Sequence, residues 1–147
     1  MSPEVARTES GALHAPLTGG CLCGAVRYEA GGRPREVANC HCSMCRRASG
    51  AAFLTYAAFP RDRVRFTRGS PAVYRSSEHA VRGHCAACGS PLTYVGNAEQ
   101  ETLWLALGSF DEPNRLPPTA EWHVATRLDW VRTDPRLPHS DGTPGEG

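Results

Sequence analysis

NCHCSMCRR (residues 39–47) sets three cysteines, Cys40, Cys42 and Cys45, within six consecutive positions. A disulfide takes two sulfurs, and a closed tetrahedral zinc site takes four ligands. Three thiols satisfy neither, unless one coordination place is left for something else. On either side of this stretch, GGCLCG (residues 19–24) carries Cys21 and Cys23, and HCAACG (residues 84–89) carries Cys85 and Cys88. In the second of these, a CxxC followed by glycine lets two thiolates converge on one ion. Gly89 relieves the crowding as backbone N–H groups turn toward the sulfurs. In the first, an extended strand aims side chains two apart at the same face, and the flanking Gly20 and Gly24 permit the bend that brings both to one ion. Together Cys21, Cys23, Cys85 and Cys88 form a four-thiolate set of the kind structural zinc uses, clipping residue 21 to residue 88. Cys40, Cys42 and Cys45 then remain. Three protein ligands with an open fourth place is the arrangement of catalytic zinc, and a soft site of three sulfurs favours a soft guest such as a thiol. A second structural site closed by His41, His84 or His123 is the competing reading.

The rest of the chain agrees with metal rather than disulfides. An odd count of seven cysteines in a chain without a signal-peptide-like apolar stretch points to a reducing, cytoplasmic setting. The 147 residues suit a single domain. A formal net charge of +1 with no run of like charges argues against nucleic acid as a partner, and no apolar run is long enough to span a membrane. All sixteen basic residues are arginine, a composition bias rather than a functional signal. Arg46 and Arg47 still stand one and two places past a ligand. They are candidates to hold a substrate carboxylate, against the ordinary alternative of solvated surface residues. Trp104, Trp122 and Trp130 read as core or pocket-wall residues. Residues 1–17 and 134–147 are rich in Pro, Gly and Ser without periodicity and read as flexible tails. Between them AVRYEA, AAFLTYAAF, RVRFTR, AVYRSS, PLTYV and TLWLALGSF are short strand-like runs bounded by turn residues. Helix is confined to a turn or two after Cys42 and another near residues 111–116. The expected architecture is mainly β, with cysteines on loops at strand ends.

Taken in order, GGCLCGAVRYE, CHCSMCRRASGAAF and CAACG followed by Pro91 and Leu92 resemble the glutathione-dependent formaldehyde-activating enzyme family, also called the centromere protein V/GFA domain. The resemblance covers about residues 18–133. It implies a single-domain, Mss4-like β-sheet fold with zinc-binding loops and two zinc ions per chain. One would be structural on Cys21, Cys23, Cys85 and Cys88, and one catalytic on Cys40, Cys42 and Cys45. It also implies a carbon–sulfur lyase joining a small thiol such as glutathione to formaldehyde as S-(hydroxymethyl)glutathione. His84 departs from the family's usual aromatic residue. In EWHVATRLDWV, Glu121 and Asp129 stand where the family usually has histidine and proline. The alternative is a non-catalytic zinc-binding interaction or chaperone-like module of the same fold. A concave pocket at the three-cysteine site favours the enzyme, and a large exposed apolar patch favours the module.

Overall fold

Successive residues of a strand face opposite ways, and here that alternation separates a packing face from a cavity face. The computed structural model describes residues 15–142. Its strands are β1 (Leu17–Gly20), β2 (Arg27–Ala30), β3 (Glu36–Cys40), β4 (Leu54–Pro60), β5 (Val64–Arg68), β6 (Ala72–Ser77), β7 (Ala80–His84), β8 (Pro91–Gly96), β9 (Thr102–Ala106), β10 (Ala120–Trp122) and β11 (His139–Ser140). One helix, α1 (Ser43–Ser49), follows β3. The strands make a three-stranded sheet, β1-β2-β5, and an eight-stranded sheet in the order β11-β10-β3-β4-β9-β8-β7-β6. Pairing is antiparallel except where β10 lies parallel to both β3 and β11. The mainly β, single-domain architecture read from the sequence is the one the chain adopts. No helix among the described residues is long and apolar enough to cross a membrane.

Val37, Ala57, Phe59, Leu103 and Leu105 project from one face of the large sheet and pack with Leu17, Tyr28, Ala30 and Phe110 from the small-sheet side. Phe59 and Leu105 are fully buried, each contributing roughly 1.5–3 kcal/mol relative to exposure. Tyr28 lies edge-on to Phe110, and its hydroxyl bonds the Ser109 hydroxyl, so the aromatic body and its polar tip are both satisfied. The small sheet is further tied by Asp111, which accepts from Arg27 and Thr18. On the opposite face, Ala38, Cys40, Tyr56, Ala58, Trp104 and Ala106 form a second cluster with Cys45 and Leu54. That face carries the site.

The C-terminal segment differs from its loose reading. Residues 134–142 return to the sheet, where His139 and Ser140 pair with Glu121 and Trp122 and the Asp134 N–H reaches the Glu121 carboxylate. The docking rests on backbone bonds, for which composition gives no sign. Residues 1–14 and 143–147, the remainder of the two expected tails, lie outside the described residues.

Candidate active site

The four-cysteine group forms where the end of β1 meets the turn between β7 and β8. The Sγ atoms of Cys21, Cys23, Cys85 and Cys88 all lie within 4.8 Å of one another. Cys23 stands 3.7 Å from Cys21 and 3.8 Å from Cys85, sulfur to sulfur. A tetrahedral ion with metal–sulfur bonds near 2.3 Å requires sulfurs about 3.8 Å apart, so the donor set fits zinc. Backbone donors support the thiolate form: Val26 N–H points to Cys21 Sγ, and the N–H groups of Ala87 and Cys88 point to Cys85 Sγ. The Ser90 hydroxyl and backbone hold the Cys88 thiol down to about 5. Gly24 (φ 81°) and Gly89 (φ 79°) make the two turns in the left-handed region, where a Cβ would be strained even though nothing blocks it. Val26 and Leu92 pack against the cluster.

The second group closes β3 and opens α1. Cys40 ends the strand, Cys42 caps the helix by accepting the Cys45 N–H at Sγ, and Cys45 lies in its first turn. Gly50 (φ 72°) stops the helix after seven residues by donating its N–H to Arg46 O. All three Sγ atoms lie within 4.8 Å of one another, with Cys40 and Cys42 at 3.6 Å. Hydrogen bonds from the Cys40 and Cys45 thiols, and then the Cys45 N–H, pull Cys42 far below the usual thiol range. Cys40 moves the opposite way, through its bonds to Cys42 and Cys45 and then burial. These thiols are donors a soft metal fits. Among the described residues no histidine or carboxylate joins the three thiols as a fourth ligand. His41 is turned away: it is 1% exposed and donates from Nε2 to Glu121 Oε1 at 2.7 Å.

The three thiols line one end of a cavity of about 590 Å³. Tyr56, Tyr94, Trp104 and Trp122 line it too, with Trp104 and Trp122 edge-on at 5.1 Å. Trp130, by contrast, is 72% exposed. The one arginine in the lining is Arg82 of β7. Its guanidinium donates to Tyr56 Oη at 3.1 Å and Cys45 Sγ at 3.6 Å, lies over the Tyr94 ring, and leaves a buried Nε–H without an acceptor. Arg46 and Arg47 are not in the lining. Arg46 instead donates to the carbonyls of His41 and Thr126, fastening the cysteine-bearing turn to the segment after β10, and Arg47 is exposed.

A protein-family model described as glutathione-dependent formaldehyde-activating enzyme matches residues 16–126. The chain belongs to that family. A crystal structure of a Rhodobacter sphaeroides protein has a similar fold, with a TM-score of 0.52 at 22% identity over 83% of this chain and 98% of the other. Within the family frame, the departure at Glu121 has a structural account. The side chain is 2% exposed and accepts from His41 Nε2, Asn39 Nδ2 and the Asp134 N–H, so this carboxylate braces the strand and turn that carry Cys40 and Cys42. Asp129 is exposed in a turn, and His84 ends β7 immediately before the four-cysteine group. Arg82 and Tyr56 escaped the reading of the sequence. Cys45 and Arg82 are far apart in the chain, and only the β7–β8–β9–β4 pairing brings Arg82 to Tyr56. The available signal was an arginine inside an otherwise small-residue strand, AVRGH, leading into a ligand pair.

Proposed function

We propose that the chain is a zinc-dependent enzyme of carbon–sulfur lyase type, acting on a thiol–aldehyde adduct such as S-(hydroxymethyl)glutathione. The observation that carries this reading is the convergence of three thiols, Arg82 and Tyr56 at one end of an aromatic-walled cavity. Cys40, Cys42 and Cys45 would hold the catalytic ion, and Cys21, Cys23, Cys85 and Cys88 the structural one. When bound, the catalytic ion supplies a place where substrate sulfur is kept as thiolate near neutral pH.

The chain's own groups account for the remaining proton and charge. As the substrate sulfur forms its bond to the aldehyde carbon, the carbonyl electron pair moves to oxygen, which then needs a proton. Tyr56 carries one: burial raises its hydroxyl above the ordinary phenol value, and its oxygen already accepts from Arg82. That leaves the Tyr56 O–H to donate to the adduct oxygen, while Arg82 steadies the tyrosinate that forms. In the lyase direction the same proton returns to Tyr56 and the carbon–sulfur bond opens. Trp104 and Trp122 wall the cavity beside the cysteines. Arg46 and Arg47 stand outside the lining, so substrate contact is assigned to Arg82, with Arg46 positioning the ligand-bearing turn.

Among the described residues the exposed large apolar side chains are Leu22, Met44, Val73, Tyr74 and Trp130. They fall on different elements, and the adjacent pair Val73 and Tyr74 faces opposite sides of β6, so the interaction-module reading has less support than the enzyme. The test is magnetisation-exchange NMR with labelled formaldehyde and glutathione. Zinc-loaded protein should accelerate exchange between the free and adduct pools, and Cys45→Ser should abolish the acceleration. No acceleration by fully loaded wild type refutes the reading.

A further inference from the structure

The cavity is charged unevenly along its length. Glu36, Ala38 and Cys40 alternate along β3 onto the same face, and all three line the cavity. Four residues of strand separate the Cα atoms of Glu36 and Cys40 by about 13 Å. The cavity therefore runs from a thiol end, where Arg82 sits, to a far end at Glu36. Two turns complete that far end. Glu78 comes from the β6–β7 connection and Glu99 from the β8–β9 connection, and both line the cavity. None of the five ion pairs among the described residues involves Glu36, Glu78 or Glu99. Glu36 is half-buried; burial first, and to a lesser degree the nearby charge of Glu99, raise its carboxyl, while the Trp122 indole beside it acts the other way. Carboxylates that repel one another at a ligand cavity, with His79 the one basic side chain in the lining at that end, are relieved by a cation brought by the ligand. A carboxylate placed there meets three carboxylates against one imidazole.

Resting on the reading above, we propose that this cavity selects a thiol of roughly tripeptide length whose non-reacting end is a protonated amine, seated between Glu36 and Glu99, rather than a carboxylate. Binding polarity follows: sulfur at Cys40, Cys42 and Cys45, ammonium at the acidic mouth. Arg82 cannot reverse this preference, because its guanidinium is committed to Cys45 and Tyr56 at the sulfur end. Glutathione, with one ammonium and two carboxylates, would be bound in spite of its acid groups. The same peptide with those groups masked is the better ligand.

The experiment uses the full chain with cobalt in place of zinc and follows the metal's visible absorption during titration with three forms of one thiol. These are glutathione, its N-acetyl derivative and its diester. The expected order of affinity is diester, then glutathione, then N-acetyl form, each step about five- to ten-fold. Glu36→Gln combined with Glu99→Gln should compress the three affinities to within about two-fold of one another. Glu78→Gln with Glu99→Gln alters only exposed turn residues and should compress the order partway, which controls for any folding defect from the half-buried Glu36. If all three forms shift the spectrum with equal affinity, the charge preference is refuted and the enzyme reading stands. If none perturbs the spectrum at millimolar concentration, the enzyme reading falls and this inference with it.

Discussion

Two side chains that no spacing rule singles out, Tyr56 and Glu121, carry separate tasks. Removing only the Tyr56 hydroxyl takes away the proposed proton donor while leaving the ring against Tyr94. Tyr56→Phe should lower kcat by about 100-fold with thiol affinity unchanged, as expected for a general acid. A fall in affinity or in melting temperature of the same variant would instead mark Tyr56 as structural. Glu121 offers two carboxylate oxygens to three donors, His41, Asn39 and the Asp134 N–H. In Glu121→Gln an amide NH₂ must face one of them, leaving buried donors opposed. The cost should be about 1–3 kcal/mol, read from the denaturant midpoint. A midpoint within error of wild type would show that the pocket around Glu121 relaxes to accept the amide.

At the scale of elements, β10 is the shortest interior strand of the large sheet, three residues held between β3 and the two-residue edge strand β11. It supplies both Glu121 and Trp122, a brace behind the cysteine turn and a wall of the cavity. Ending the chain at Thr133 should therefore do more than remove a tail. Zinc occupancy at the three-cysteine site should fall while the four-cysteine site stays filled, and amide exchange in β10 should quicken; unchanged exchange would mean that β11 contributes nothing to the brace. The strand runs with clear alternation or β-branched and aromatic content were legible, as were both cysteine groups and the short helix. EVANC and AVRGH escaped notice as strands because alanine, asparagine and glycine dilute their periodicity. AEW and HS are too short to carry any. Arg82 was illegible for a related reason. Its value lies in a register four strands wide, and spacing along the chain reports only neighbours. The turn at Cys40–Cys45 was readable because its chemistry is local.

The two cysteine groups divide the whole molecule unequally. The four-cysteine group ties the first sheet to the large one across residues 21 to 88, whereas the three-cysteine group joins only a strand end to the helix that follows. Metal binding of the first kind is coupled to folding. Cys88→Ser should thus lose folded structure with its metal, while Cys42→Ser should lose about one zinc and keep its sheet. In wild type a chelator should empty the three-cysteine site first, with circular dichroism unchanged until the second ion leaves; a single concerted loss of both ions and structure would contradict this division. A further consequence lies in the register of the large sheet. Glu36, Ala38, Cys40, Tyr56, Arg82, Tyr94, Trp104 and Trp122 all carry even numbers and line the cavity, while Val37, Ala57, Phe59, Leu103 and Leu105 carry odd ones and fill the core. Codon replacements at even positions therefore alter the cavity wall while leaving the odd-numbered core in place. Insertion or deletion of a single codon inside β3, β4 or β9 is another matter: it flips the parity of everything beyond it in that strand, turning cavity-lining side chains inward and greasy ones out. Descendants of this gene should vary in these strands by substitution and change length only in the turns between them.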